Sequence, residues 1–172
     1  EQAPDEKEIW SVLEQVIRSA AVHFVESRTK EGAHLKQDIL EKLKDMEEKV
    51  EQVEQRSPEI LKEYREKLEG KVKELLADTQ IEESRIAAEV ILFADKICTD
   101  EETVRLKRHI QRMAEVLQEN EGSGRKLDFI AQEMNREANT ILSKANDLET
   151  SNLAIDLKTE IEKVREQIQN IE

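Results

Sequence analysis

Three ionisable residues beyond the middle of the chain have the types and the spacing of a catalytic set. Glu102, Arg105 and His109 stand at i, i+3 and i+7, so they share one face if the segment is helical. Histidine exchanges protons near neutral pH, and arginine binds phosphate oxygens through paired N–H groups. The three residues therefore suit general acid–base chemistry on a phosphate ester. The same spacing also fits ordinary ion pairs beside a structural histidine, and the residues alone leave both interpretations open.

A second group of charged residues lies within residues 124–137, which read GRKLDFIAQEMNRE. Its carboxylates suit Mg²⁺ or Mn²⁺, which prefer oxygen ligands, and such an ion activates water and neutralises charge on a scissile phosphate. The alternative is a helix surface with common i, i+3 and i, i+4 ion pairs. The carboxylates in question are Asp128, Glu133 and Glu137, and Arg125 and Arg136 lie in the same segment.

The composition restricts both the fold and the way in which nucleic acid binds. The chain has 172 residues, a formal net charge of −13, 39% charged residues and 3% aromatic residues. This composition argues against a β-sandwich and favours long helices with narrow apolar seams. The negative charge excludes nucleic-acid binding by the whole surface, so an RNA site must be a local basic patch. Four of the five aromatic residues lie on apolar seams, so stacking of bases on aromatic rings is not expected.

The sequence lacks the signatures of several other classes of protein. It contains no P-loop, no zinc-ligand spacing, no GxSxG motif and no Rossmann glycine set. The single cysteine, Cys98, excludes a disulfide within the chain, fits a reducing compartment and is expected in the core. No apolar stretch has the length of a membrane span. We therefore expect a cytoplasmic protein that has no membrane partner.

The spacing of the apolar residues predicts an all-α fold. The expected architecture is an elongated helical domain with a projecting antiparallel coiled-coil hairpin. Residues 1–32 are the N-terminal helix of this domain, residues 33–79 are the hairpin arm, and residues 80–172 are the core helical domain. The arm is either a clamp for a ligand or a spacer and oligomer seam, and the sequence favours neither.

The boundaries of the helices are predicted from breaks in the apolar pattern. Gly32 is expected to break or kink the first helix, and Ser57–Pro58 is expected to form the turn of the hairpin, with proline at the first position of a new helix. Residues 80–98 are the most apolar element and are predicted to be the central core helix. The loop at Glu121–Gly124 and a polar connector at Asn146–Asn152 separate the last three helices, at about 101–120, 125–144 and 152–171.

The order of several motifs resembles the YicC/YloC family of bacterial endoribonucleases. The C-terminal part carries the strongest likeness, in Gly124–Phe129, Gln132–Glu133, Asn135–Glu137, Asn139–Thr140, Lys144, Lys158, Ile161–Glu162, Arg165–Gln167, Gln169–Asn170 and Glu172. Upstream motifs add Glu101–Glu102, Arg105–Leu106, His109–Ile110, Arg28, Glu31–Gly32, Leu35 and Asp38. The resemblance extends from about Trp10 to the end of the chain.

The resemblance implies a metal-dependent endoribonuclease that cleaves RNA phosphodiester bonds. It implies Mg²⁺ or Mn²⁺ as the cofactor, RNA rather than DNA as the partner, the bacterial cytoplasm as the location, and a homo-oligomer, a hexamer in the full-length protein. His109 becomes the general acid or base, with Glu102 and Arg105 beside it. An N-terminal domain of the family is expected to be missing. The alternative is a non-catalytic RNA-binding or oligomerisation module that needs that domain for hydrolysis.

The resemblance also gives roles to the second group of residues. Arg125 and Arg136, together with Arg105, bind RNA phosphates. Asp128, Glu133 and Glu137 bind the metal ion.

Overall fold

Five α-helices make up nearly all of the structure. The computed structural model describes residues 6–75, 82–119 and 124–169, and no strand occurs within these ranges. The all-α prediction is thereby confirmed. The helices are α1 (Glu6–Leu75), α2 (Glu83–Ile97), α3 (Asp100–Val116), α4 (Gly124–Lys144) and α5 (Leu148–Ile168).

The core is a four-helix bundle formed by the middle of α1 with α3, α4 and α5. Helix α1 packs on α3 and α5, and α4 packs on the same two helices, so each helix has two neighbours. The apolar side chains at the centre are buried, and the seams predicted for residues 39–53, 127–141 and 157–168 supply most of them. The largest are Ile39, Met46, Leu106, Met113, Leu127, Met134, Ile141, Leu157 and Ile161.

Helix α1 is continuous through both predicted breaks. Its 70 residues span roughly 105 Å. Gly32 lies within the helix, and a Cβ atom there would meet nothing within 4 Å, so the backbone does not require glycine. The turn predicted at Ser57–Pro58 is wrong, because Pro58 is inside the helix.

Ion pairs cross the proline and connect the turns of α1 on its two sides. An interior proline costs a helix about 3 kcal/mol or more. Arg56 donates to Glu59 at 3.1 Å and to Glu63 at 2.7 Å, so it links the turns on both sides of Pro58. The same guanidinium contacts Asp147 at 3.2 Å, and Val53 is buried one turn earlier. These contacts hold α1 against the start of α5.

A different hairpin replaces the predicted arm. The end of α1 packs on α2, and the rings of Tyr64 and Phe93 stack with centroids 3.8 Å apart and 13° between their planes. Arg65 also reaches Glu83 at 3.4 Å. The hairpin predicted within residues 33–79 is therefore wrong in its pairing. The division into domains at 32/33 and 79/80 stays a prediction.

Helix α2 is not the central core helix that its composition predicted. Only Ile97 is buried, while Ile91 and Leu92 are 62% and 65% exposed. Its apolar residues surround the helix, and α1 is the helix that it packs against, so one side alone is covered. Apolar content indicated burial here, but it did not supply the second neighbour that burial needs.

The ends of α4 and α5 also differ from the prediction. Helix α5 begins at Leu148, four residues earlier than expected, because the Asp147 side chain caps it by accepting from the Thr150 N–H. Gly124 is the first residue of α4, while the rest of the predicted loop and the seam residue Ile171 lie outside the described residues.

The N-terminal part of α1 carries an apolar face that nothing in the described chain covers. The helix predicted for residues 5–29 is amphipathic, as expected. Its apolar side chains are 45–66% exposed; we call them the N-terminal stripe, namely Ile9, Trp10, Leu13, Val16, Ile17 and Phe24. None of the described helices combines the length and the hydropathy that crossing a lipid bilayer requires.

Candidate functional site

The groove between α3 and α4 brings together most of the charged residues that the sequence singled out. Two contacts fix the antiparallel register of these helices. Lys144 at the end of α4 contacts Glu102 at the start of α3 at 2.9 Å, and Arg105 contacts Glu137 at 3.0 Å. Because the helices are antiparallel, later turns of α3 lie opposite earlier turns of α4. We call this region the α3–α4 groove.

Glu102 is the buried centre of the groove. Its side chain is 7% exposed, and its Oε1 accepts from Lys144 Nζ at 2.9 Å and from Arg105 Nη2 at 3.4 Å. Among the described residues, its buried Oε2 has no hydrogen-bond partner. A buried acceptor without a donor costs about 1–3 kcal/mol.

Lys144 joins three helices at this end of the groove. Besides Glu102, its ammonium group donates to the Cys98 carbonyl at 2.9 Å, which directly follows α2. Cys98 itself is exposed, so its predicted place in the core is wrong. Sequence reasoning did not count Lys144 among the site residues, although its position in the motif ending at residue 144 was a signal that could have identified it.

Arg105 is surrounded by carboxylates but stays accessible. Its guanidinium contacts Glu137 at 3.0 Å, Glu101 at 3.1 Å and Glu102 at 3.4 Å, while 44% of its side chain is exposed. The hydrogen bond to Glu137 is the main reason that the pKa of Arg105 is raised, against the opposing effect of desolvation. The side chain is therefore held in position with a permanent charge and a face open to a ligand.

His109 lies one turn beyond Arg105 on the same side of α3. It is partly buried, and the register places it opposite the turn of α4 that contains Glu133. The structure records no hydrogen bond or ion pair for His109 with any described residue. Its imidazole is thus available to a ligand in the groove, about 6 Å along the helix from Arg105.

The three carboxylates predicted to bind a metal ion do not meet. Asp128 faces α5 and accepts a hydrogen bond from Arg165 of that helix at 2.9 Å. It also accepts one from Gln132 of α4 itself at 2.7 Å. Glu137 lies nine residues later, roughly half a turn around the helix, and binds Arg105. Glu133 binds Arg136 at 2.7 Å. The residues therefore do not fit a single cation.

No other group of side chains in the described residues forms a metal site either. Across residues 6–75, 82–119 and 124–169, no three His, Cys, Asp or Glu side chains lie close enough together to hold a metal ion. The ion pairs also have electrostatic consequences. The pKa of Asp128 is lowered, chiefly by the hydrogen bond from Arg165, and desolvation opposes this effect.

The two arginines predicted to bind phosphate lie outside the groove. Arg125 and Arg136 are exposed on the side of α4 that faces away from the bundle. The Arg136 side chain is 73% exposed although it pairs with Glu133. Residues that sequence reasoning placed in one site therefore occupy two surfaces of α4.

Sequence comparisons relate the chain to known proteins. Residues 53–172 match a family model described as "Endoribonuclease YicC-like, C-terminal". The chain is 43% identical over 173 residues to "Probable endoribonuclease YicC" of Clostridioides difficile (strain 630), an alignment that covers 100% of this chain and 59% of the relative. It is 36% identical over 149 residues to a protein of the same name from Haemophilus influenzae, covering 87% of this chain and 51% of the relative. The chain thus spans little more than half the length of these relatives.

Proposed function

The chain belongs to the YicC-like endoribonuclease family, and we propose that it cleaves RNA phosphodiester bonds in the α3–α4 groove. The observation that carries the proposal is the arrangement around Glu102. The buried carboxylate of Glu102 holds two cations, Lys144 and Arg105. One turn beyond Arg105 on α3, His109 makes no hydrogen bond or ion pair with any described residue. Cations that neutralise charge on a phosphate and a group that moves a proton are what phosphodiester cleavage requires.

The position of each residue suggests its role. Arg105, with its exposed face, binds the scissile phosphate and neutralises the charge that develops there. His109 accepts the proton of the attacking oxygen as the new P–O bond forms, and the resulting imidazolium donates that proton to the oxygen that leaves as the old P–O bond breaks. Glu102 is too deeply buried to touch RNA, so it acts as a positioning residue that holds Arg105 and Lys144.

Dependence on Mg²⁺ or Mn²⁺ remains part of the proposal without assigned ligands. The carboxylates of the described residues do not fit one cation, so no step of the mechanism is routed through a metal ion. Incubation with EDTA tests the dependence directly. Cleavage that continues in EDTA at a rate that added Mn²⁺ does not change would contradict the dependence.

We also propose that the chain assembles as a homo-oligomer, a hexamer in the full-length protein, in the bacterial cytoplasm. The support is the N-terminal stripe, whose exposed apolar side chains run along four turns of one helix face. A contiguous apolar surface of this kind is typical of a subunit contact.

A non-catalytic role remains the second candidate, because the relatives contain additional sequence. The alignment covers 59% of the Clostridioides difficile relative, so a part absent here can complete a site. In that case the chain is a module for RNA binding or assembly. Such a module binds RNA with an affinity that falls as salt rises, yet leaves it uncut.

Cleavage of a labelled single-stranded RNA by variants of the chain tests the proposed function. His109→Ala is expected to lower the cleavage rate about 10²- to 10⁴-fold, the usual contribution of general acid–base catalysis. The matched control is His34→Ala, which removes an exposed histidine from α1. Equal rates for the two variants would contradict the role of His109. Binding of RNA without cleavage by the unaltered chain would favour the module instead.

A further inference from the structure

The side of α4 that faces away from the bundle carries no carboxylate, although the chain has a net charge of −13. Seven positions of this helix project within roughly 100° of one another. All seven are exposed or partly exposed. We call them the α4 outer face: Arg125, Phe129, Gln132, Arg136, Asn139, Thr140 and Ser143.

The acidic residues at the edges of this face are already neutralised. Asp128 on one side is bound by Arg165 from α5 at 2.9 Å and by the Gln132 amide at 2.7 Å. Glu133 on the other side is bound by Arg136 at 2.7 Å. A polyanion that approaches the α4 outer face therefore meets Arg125 and the exposed part of Arg136, which also pairs with Glu133, and no uncompensated carboxylate of α4 within the face.

Phe129 stands between the two arginines and is 62% exposed. Arg125 is about 6 Å before it along the helix axis, and Arg136 is about 10 Å after it. Phe129 is not part of the seam of α4, whose residues Leu127 and Ile130 are buried. Its ring is therefore exposed for a reason other than packing within the bundle.

The surroundings of Phe129 favour a nucleic acid over another protein. A protein interface buries about 800 Å² on each side around several apolar side chains. Phe129 is the single apolar residue of the α4 outer face, unlike the side chains of the N-terminal stripe. An isolated ring beside cations matches sites for single-stranded RNA, where bases stack on aromatic residues and arginines contact the backbone.

We infer that the α4 outer face binds single-stranded RNA, with a base stacked on Phe129 and phosphates held by Arg125 and Arg136. This inference rests on the proposed function, because it concerns how the substrate of that function is held. It also revises the expectation that base stacking plays no part. The Phe129 side chain acts in binding, so its loss is expected to raise KM more than it lowers kcat.

Equilibrium binding to two probes of equal length tests the inference. One is a fluorescent single-stranded oligoadenylate, and the other is the same ribose-phosphate chain without bases. Phe129→Ala is expected to weaken oligoadenylate binding about fivefold to 150-fold, the range for loss of one stacked base, and to leave the abasic probe unaffected. Arg125→Ala is expected to weaken both probes and to reduce the slope of log K against log salt by about 0.7.

Two conservative variants separate stacking from apolar contact. Phe129→Trp is expected to bind oligoadenylate at least as well as the unaltered chain, while Phe129→Leu behaves like Phe129→Ala. Leu148→Ala, which removes a side chain that is 77% exposed at the start of α5, is the matched control and is expected to change nothing.

The outcomes that overturn the inference differ from those that overturn the proposed function. Unchanged oligoadenylate binding in Phe129→Ala, with cleavage intact, removes the inference alone. A lower mass in light scattering for Phe129→Ala, with RNA affinity unchanged, identifies the ring as a subunit contact and also removes it. If the unaltered chain binds neither probe and cuts no RNA, both the inference and the proposed function are wrong.

Discussion

Single ion pairs determine what each carboxylate of the site can do. Asp128, Glu133 and Glu137 share a chemistry in the sequence, but each is occupied by a different arginine in the structure. Glu102 differs from them because it is buried, with one oxygen engaged and one free of partners among the described residues. The partner of each group, rather than its type, therefore separates a structural carboxylate from a positioning one.

Loss of the Lys144 ammonium group is expected to destabilise the bundle. Lys144→Met leaves the buried Glu102 charge with a single, longer contact to Arg105, so the free energy of unfolding should fall by about 1–3 kcal/mol. Urea denaturation followed by circular dichroism measures the change. The double variant Glu102→Gln/Lys144→Met should recover part of the loss, because no uncompensated charge remains. A double variant that is less stable than Lys144→Met would contradict this explanation.

Acid is expected to weaken the α4–α5 contact through Asp128. Its pKa is lower in the folded chain than in the unfolded one, chiefly because Arg165 donates to it. The stabilisation is therefore complete above the ordinary aspartate pKa of about 3.9 and is lost as the pH falls through the lower folded value. Melting temperatures between pH 2.5 and 7 should fall less steeply for Asp128→Asn than for the unaltered chain. Parallel curves would show that Asp128 makes no such contribution.

Helices were the easiest elements to predict, because a period of 3.6 residues is visible within any short window. The apolar seams of α4 and α5 were confirmed for this reason. Two elements were wrong for reasons outside that window. Helix α2 is apolar but lacks a second neighbour, and Pro58 is retained within α1 by contacts of Arg56 with residues that follow α4.

The relative positions of the candidate residues were predicted in part, again according to the distance over which the information lies. Spacings of three and four residues correctly placed Glu102, Arg105 and His109 on one side of α3. The spacing of nine residues between Asp128 and Glu137 puts them on opposite sides of α4, which the grouping of carboxylates ignored. Lys144 could be paired with Glu102 only once the register of α3 and α4 was known.

The continuity of α1 can be measured directly. Spin labels at Glu48 and Lys67, both exposed, should be about 28 Å apart along a single helix, since 19 residues separate them. A hairpin that turned at Ser57–Pro58 would bring the same sites to within about 10 Å, the separation of packed helices. Labels at Glu48 and Lys30 provide the control, because the segment of α1 between them contains no proline. A short distance for the first pair alone would disprove the continuous helix.

At the scale of the whole molecule, the N-terminal stripe is an apolar surface that no described residue covers. Ile17→Glu adds a charge to its centre and is expected to lower the oligomer mass measured by light scattering, because burial of that charge is costly. Gln15→Glu adds the same charge to a face of the helix outside the stripe and should leave the mass unchanged. Since Ile17 is 54% exposed in the chain, neither variant removes a contact of the bundle itself. Equal masses for both variants would contradict a role for the stripe in assembly.

Helix α1 takes part in three places at once: in the N-terminal stripe, in the bundle and in the pairing with α2. It therefore forms one continuous helical rod, and a tilt imposed on the stripe is expected to carry over to the α2 end. A partner that binds one end of α1 is thus expected to reorient the other end, some 100 Å away. Pro58 is the position within α1 that lacks a backbone N–H, so it is where the rod should bend first under load.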